Sequence, residues 1–524
     1  MKKLIISIVL LFLAIVTMAY LYFSKLNTDQ HITDTGLQAA VANSAFIFSF
    51  ENEKSITDIL KEQRLFEEIL DAKQYKQLAS LKKYLLTIPK VNQLTDKQNV
   101  YIAFVPGSDH NIDFLCYTQI SIPEYLPQLF QSLKTSGIRP ETTDRLTKLI
   151  LPDSSVFYLG IKENLAVISS SEKQTAAALA KERNQKDDKF IEYIQAIKRF
   201  SKNSLAQLYI NFNDLPLLLK NIISGNLNGE LAVLNQQDAF AALTYNFSNE
   251  KVLLTGTTVT NNPNNYYHLF SDMQAQKITI NNILPANTAS YTIFAVDSYP
   301  NWKKKLDTWF SNQHQDKKIS ALLKDINNRY HLNPDELFPK YFKDQFITFQ
   351  LRTGEKIGAI NLSNGDKMIQ LLLDLSSEYD EDIKVFKEPD LLYAYFGKPF
   401  SNFKKPYYII TDNYMVFANN AGTLQSFLNS YTNNQLLINV PNYINAGNQL
   451  PGNSSIAFYT DHRNADDIFK KNIYLPYYKH ISAIEGLKNY DSFTYQLSGD
   501  NGKFQTNILI NKQPEVLQKD SLAL

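Results

Sequence analysis

This chain repeats itself, and a fold that forms twice in tandem leaves few architectures open. The segment NVYIAFVPGSDHNIDFLCYTQI from Asn99 aligns with DQFITFQLRTGEKIGAINLS from Asp344, so that Ile102, Phe104 and Ile112 fall on Ile347, Phe349 and Ile357. Further on, KENLAVISS from Lys162 matches TDNYMVFAN from Thr411. Asn203 to Tyr209 matches Asn453 to Tyr459, and Thr244, Tyr245 and Ser248 match Thr494, Tyr495 and Ser498. Phe46, Phe48 and Phe50 lie over Tyr291, Ile293 and Ala295, with the period-two alternation of a half-buried strand. Blocks in one order at an offset of roughly 245–250 residues point to a tandem duplication.

Each half reads as strand, helix, hairpin, helix, hairpin, helix, strand, helix and closing hairpin. Pro106-Gly107-Ser108-Asp109 and Arg352-Thr353-Gly354-Glu355 occupy equivalent turns, as do Lys162-Glu163-Asn164 and Thr411-Asp412-Asn413. Helices are predicted over Ser55 to Leu70 and Leu215 to Ile223, with Asn52 and Asp297 as helix N-caps. Hairpins broken by helices predict an α+β fold on antiparallel sheet. The predicted organisation is a membrane segment at 1–25, a first repeat at 43–260, a linker at 261–283, a second repeat at 284–512 and a tail at 513–524. The turns LPDSS at Leu151, LPANT at Leu284 and LPGNS at Leu450 each lead into an apolar run, as loop-to-strand entries should.

The N-terminus reads Met1-Lys2-Lys3 and then runs uncharged from Leu4 to Phe23. As a helix this run is about 30 Å long, the thickness of a bilayer's hydrocarbon core. The lysines ahead of it place the N-terminus in the cytoplasm and the bulk of the chain in the periplasm or outside. The fold class expected is therefore α+β, an N-terminal transmembrane helix followed by two tandem homologous halves of antiparallel sheet with helices packed on it. A cleaved signal peptide ending at Thr17-Met18-Ala19 is the competing reading; the run through Tyr20, Leu21, Tyr22 and Phe23 favours an uncleaved anchor.

With 53 basic and 52 acidic side chains the net charge is +1, which argues against a nucleic-acid partner. Only 17 glycines occur in 524 residues, too few for glycine-rich nucleotide cradles. Cys116 is the single cysteine, so no intramolecular disulfide forms, and its apolar neighbours predict an inert strand thiol. None of the seven histidines (His31, His110, His268, His314, His331, His462, His480) pairs with another at common metal-site spacing. His110 reads as a solvated turn residue.

Three elements of a penicillin-recognising serine site occur in order: Ser80 with Lys83, Ser201 with Asn203, and Arg352 with Gly354. Their split between the two halves argues against that assembly. The runs Glu378, Asp380, Glu381, Asp382 and Asp461, Asp466, Asp467 lack the spacing and glycine of a calcium loop. Thus no catalytic, cofactor-binding or metal residue is expected. The 31 Tyr, 32 Phe and 2 Trp read as core packing, with a ligand groove as the alternative.

The membrane segment, the Leu-Pro-x-Asn-Ser/Thr entries at Leu284 and Leu450, and KENLAVISSSEKQTAAAL from Lys162 together resemble an uncharacterised bacterial family of membrane-anchored envelope proteins, known only as a domain of unknown function. That resemblance implies no chemistry. The sequence thus predicts a single-pass protein of the cytoplasmic membrane, a non-catalytic scaffold or partner binder in the cell envelope. Its partners would be the membrane through the N-terminal helix and an envelope protein or lipid, with no nucleic acid. The alternative is a binder of an apolar or amphipathic ligand, lipid or peptide, in a groove between the halves; a serine hydrolase or acyltransferase is the third reading.

Overall fold

The computed structural model describes residues 34–50, 69–70, 72–95, 98–120, 126–143, 145–181, 185–198, 206–225, 234, 238–248, 251–483 and 489–512. The predicted membrane segment, the predicted helix over Ser55 to Leu70 except its last two residues, and the tail lie outside them.

Among the described residues each half contributes ten strands to one sheet. The first ten are β1 (Phe46–Phe50), β2 (Val100–Pro106), β3 (Ile112–Gln119), β4 (Arg139–Thr142), β5 (Thr147–Ile150), β6 (Val156–Lys162), β7 (Leu165–Ser169), β8 (Ala206–Asn211), β9 (Ala239–Phe247) and β10 (Lys251–Thr260). The second ten are β11 (Thr288–Ala295), β12 (Phe342–Leu351), β13 (Lys356–Leu362), β14 (Ser376–Glu378), β15 (Lys384–Phe386), β16 (Tyr407–Thr411), β17 (Tyr414–Ala418), β18 (Ile456–Asp461), β19 (Tyr490–Asp500) and β20 (Lys503–Lys512).

All pairings in this sheet are antiparallel. In the first half the ladder runs β4-β5-β6-β7-β3-β2-β1-β8-β9-β10. In the second it runs β14-β15-β16-β17-β13-β12-β11-β18-β19-β20, the same order with each strand number raised by ten. The two ladders meet where β10 pairs with β20, from Lys251 opposite Asn511 to Val259 opposite Lys503. The expected architecture is corrected here in two respects. The halves do not form separate sheets but one 20-stranded sheet, because each half would otherwise end in a long open edge and the two edges cover each other. Among the described residues, moreover, no helix is long and apolar enough to cross a membrane. The α+β class with helices on antiparallel sheet stands.

Helices cover both faces. On one face a single core runs through both halves, joining the helices Ala72–Tyr84, Pro89–Thr95, Leu126–Thr135 and Leu215–Ile222 to Tyr299–Asn312, Asp316–Tyr330 and Leu391–Phe396. On the other face each half has its own core. Thr35–Asn43 and Gln185–Lys198 cover the first, and Ala421–Thr432 with Pro441–Gly447 covers the second. Residues 261–283 are packed structure: Tyr266 and Phe270 are buried, and the Tyr266 hydroxyl donates to the Phe396 carbonyl at 2.5 Å. Asp297, expected as an N-cap, instead accepts from the Gln274 backbone N–H at 3.0 Å, and Ser298 takes the cap position.

A second contact joins the halves. Ile223 and Ile473, which follow the helices Leu215–Ile222 and His462–Asn472, form an antiparallel bridge. The Ser224 N–H donates to Asn472 O at 2.8 Å and the Tyr474 N–H to Ile222 O at 2.9 Å. His110 stacks on Tyr474, ring centroids 3.8 Å apart.

Candidate functional site

Side chains at directly opposed positions of neighbouring strands share one face, so a row across the sheet can be read from the register. One such row runs Ile510, Phe493, Thr460, Ser290, Gln350, Lys356 across β20, β19, β18, β11, β12 and β13. Six strands at about 4.8 Å spacing make it about 24 Å long. It passes from two apolar side chains through three neutral polar ones to an ammonium. The polar members sit near strand ends, where the strand has left the packed centre of the sheet.

Above this row runs the helix His462–Asn472. Asp461 caps it by accepting from the Asn464 N–H at 2.9 Å. Ala465, Ile468 and Phe469 are spaced i, i+3, i+4 and turn one apolar stripe to the sheet, while Arg463, Asp467, Lys470 and Lys471 are exposed. Ile468 and Phe469 are only half-buried, because a groove of about 520 Å³ lies beneath them. Its floor is the cross-strand row together with Phe458, whose ring meets Phe493 edge-on at 6.0 Å. Ile223, Gly225 and Leu234 of the first half close one side. A Cβ on Gly225 would stand 2.9 Å from Asn472 Oδ1, so the Asn472 side chain closes against the bare backbone on that side of the groove. His462, in the first turn of the helix, lines the same space. The groove thus has an apolar end and a polar, cationic end, the geometry of an amphipathic ligand site.

The residues weighed from sequence fall elsewhere. Ser80 and Lys83 share the helix Ala72–Tyr84, but Ser80 is buried and donates to Asp153 Oδ2 at 2.5 Å. Burial works against the charge on Asp153, yet the hydrogen bonds from Ser80 and Ser155 hold its carboxyl below the usual range. Lys83 is exposed, its ammonium 4.8 Å from the Tyr84 ring centroid, and hydrogen bonding and charge interaction with Tyr84 raise its pKa, the opposite of what a proton acceptor needs. Ser201 and Asn203 lie outside the described residues. Arg352 and Gly354 form the turn between β12 and β13, Gly354 with φ +98°.

Cys116 is buried in β3, and burial pushes its thiol up to about 12. Glu378 ends β14, and Asp380, Glu381 and Asp382 follow it in an exposed turn. Asp466 accepts from the Tyr478 hydroxyl at 3.0 Å, and Asp461 is the helix cap described above. Among the described residues no group of three or more His, Cys, Asp or Glu side chains could hold a metal ion. His110 does occupy a turn, in the left-handed region at φ +61°, but it is docked on Tyr474, with Nδ1 2.9 Å from Asn221 O. Of the tyrosine pairs, Tyr266 and Tyr267 are both buried, as are Tyr408 and Tyr477, so much of this aromatic content is core.

None of the groove residues stood out in the sequence. The usable signal was weak: Ser290, Gln350 and Thr460 each put a neutral polar side chain into an apolar strand, and only the register brings them into line. The chain matches no protein-family model, no curated protein and no solved structure.

Proposed function

We propose that this protein is a non-catalytic binding protein that holds a single-chain amphiphile with an acidic head, such as a fatty acid, in the groove between its two halves. The observation that carries this reading is the floor row, graded from Ile510 and Phe493 at one end to Lys356 at the other. The tail lies under Ile468 and Phe469 and the head is drawn toward Lys356, where charge and hydrogen-bonding groups fix its orientation. The uncharged run Leu4 to Phe23, with lysines ahead of it, supports attachment at the cytoplasmic membrane with the groove on the outer side.

Displacement of a dansyl-labelled undecanoic acid, with native mass spectrometry of the extracted full chain, tests the proposal. Dodecanoate should bind in the groove, Phe469→Glu should remove one bound equivalent, and Lys356→Gln should weaken that equivalent roughly tenfold, about 1.4 kcal/mol. Retention of full affinity by a folded Phe469→Glu protein would exclude the groove. Equal binding of dodecanol and dodecanoate at the site that Phe469→Glu removes would take the acidic head out of the proposal.

A further inference from the structure

The first half holds a second cavity, open on one side, and the second half shows what the same place looks like when filled. In the first half one cross-strand row reads Leu159, Ile168, Cys116, Ile102 across β6, β7, β3 and β2. At the corresponding positions of β16, β17, β13 and β12 the second half has Tyr408, Phe417, Gly358, Thr348. There the Phe417 ring lies over the bare backbone of Gly358, where a Cβ would come within 2.2 Å of it. Phe400 and Phe403 meet it edge-on at 4.8 and 4.9 Å, and Phe386 stacks on Tyr408 at 4.6 Å. With Leu159, Ile168 and Cys116 instead, the first half leaves a cavity of about 110 Å³ between the sheet and the helices Ala72–Tyr84, Pro89–Thr95 and Leu126–Thr135.

The lining is almost wholly aliphatic. Its deep wall is formed by buried side chains including Leu78, Leu81, Leu129, Leu133 and Leu149, and half-buried Leu85, Leu86, Leu159 and Ile161 line it nearer solvent. The Cys116 thiol on its wall stays protonated. A space of this kind stays dry, and a dry apolar cavity of ~150 Å³ takes benzene. This fold fills the equivalent space with rings, so the void is a property of the first half's side chains and not of the backbone.

We infer that this cavity is a second ligand site, one that takes the end of an unbranched alkyl chain with the rest of the chain leaving past Leu85, Leu86 and Ile161. It is distinct from the groove between the halves and needs no acidic head. The test uses the full chain with n-hexanol, n-octanol and n-decanol, followed by thermal shift and native mass spectrometry. Affinity should rise about fourfold per methylene, the equivalent of ~0.8 kcal/mol, until the cavity is full. Cys116→Gly with Ile168→Phe carries the second half's pair into the first and should lower octanol affinity at least tenfold while leaving the protein folded. Leu159→Tyr is the alternative filling variant should the pair fail to fold. The inference is overturned by absence of saturable alkanol binding, or by unchanged binding in a folded filled variant. Loss of alkanol binding in Phe469→Glu but not in the filled variants would assign it to the groove, overturning this inference and leaving that site in place.

Discussion

One cross-strand pair sums up how the two halves differ. Phe417 opposite Gly358 and Ile168 opposite Cys116 hold the same place in two ladders of identical order. In the second half a large ring is matched to a position with no side chain, and further aromatic rings close around it. In the first half two medium-sized side chains share the volume and leave a void. Ladder order is therefore insensitive to how the core over it is filled; backbone pairing and side-chain packing were free to vary separately. The aromatic solution gives a rigid wall, the aliphatic one a space that can be occupied.

Truncation at the two positions should separate these solutions most clearly. Phe417→Ala removes a fully buried ring from a tightly packed cluster and should cost about 3–5 kcal/mol in urea denaturation. Ile168→Ala only enlarges a void that already exists, and about 2 kcal/mol is expected, the low end for such changes. Equal losses would mean that the first-half cavity is closed up in solution.

Register explains why the sequence revealed the repeat but not this difference. The turns at Glu163 and Asp412 are true counterparts, both with positive φ, and they fix KENLAVISS against TDNYMVFAN. Upstream of them the first half turns from β2 to β3 through the five residues Gly107 to Asn111, the second from β12 to β13 through the four residues Arg352 to Glu355. Because of the unequal turns, aligning Ile102 with Ile347 is one residue out: Ile102 packs on the face with the shared core and Ile347 on the opposite face. Alternation could not expose the slip, since β2 and the centre of β12 are buried on both faces and Phe346 on one face, with Ile347 and Phe349 on the other, makes both look apolar. By the ladder, Ile102 corresponds to Thr348. The shared sheet was illegible for a different reason. Nothing local in KVLLTGTTVT says that its free edge meets KFQTNILINK, some 250 residues away.

That joint gives the next test, of whether the halves behave as one body. Gly256 lies between Leu243 of β9 and Thr506 of β20, and a Cβ there would stand 2.1 Å from the Ala242 carbonyl oxygen. Gly256→Ala must push β9 and β10 apart and should cost about 1–3 kcal/mol. β10 carries the joint on its other edge, so if packing differs between the halves while the joint holds them together, displacing β10 should split a single calorimetric transition in two, the aromatic half melting higher. A single transition lowered as a whole would show that the Ile223–Ile473 bridge and the common core couple the halves without the joint.

The smallest effect expected is electrostatic and belongs to the second half. Asp390 has φ +61° and receives the ammonium groups of Lys318 at 2.9 Å and Lys404 at 2.8 Å, tying the helix Asp316–Tyr330 to the loop before β16. Burial opposes its ionisation, but the hydrogen bonds and charges of Lys404 and Lys318 prevail and hold the carboxyl below its ordinary range. A carboxyl more acidic in the folded than in the unfolded chain stabilises the fold above its unfolded pKa, and that stabilisation disappears as pH falls through the folded value. Both lysines are well exposed, so the contribution is about 1 kcal/mol or less. Between pH 7 and pH 5 Asp390→Asn should therefore lower the stability of the second half by that amount. As pH drops below about 4 the difference between wild type and variant should shrink toward zero, because the wild-type carboxyl is then losing its charge as well. A difference that stayed constant down to pH 2 would mean that the side chain acts through shape at its left-handed position and not through its charge.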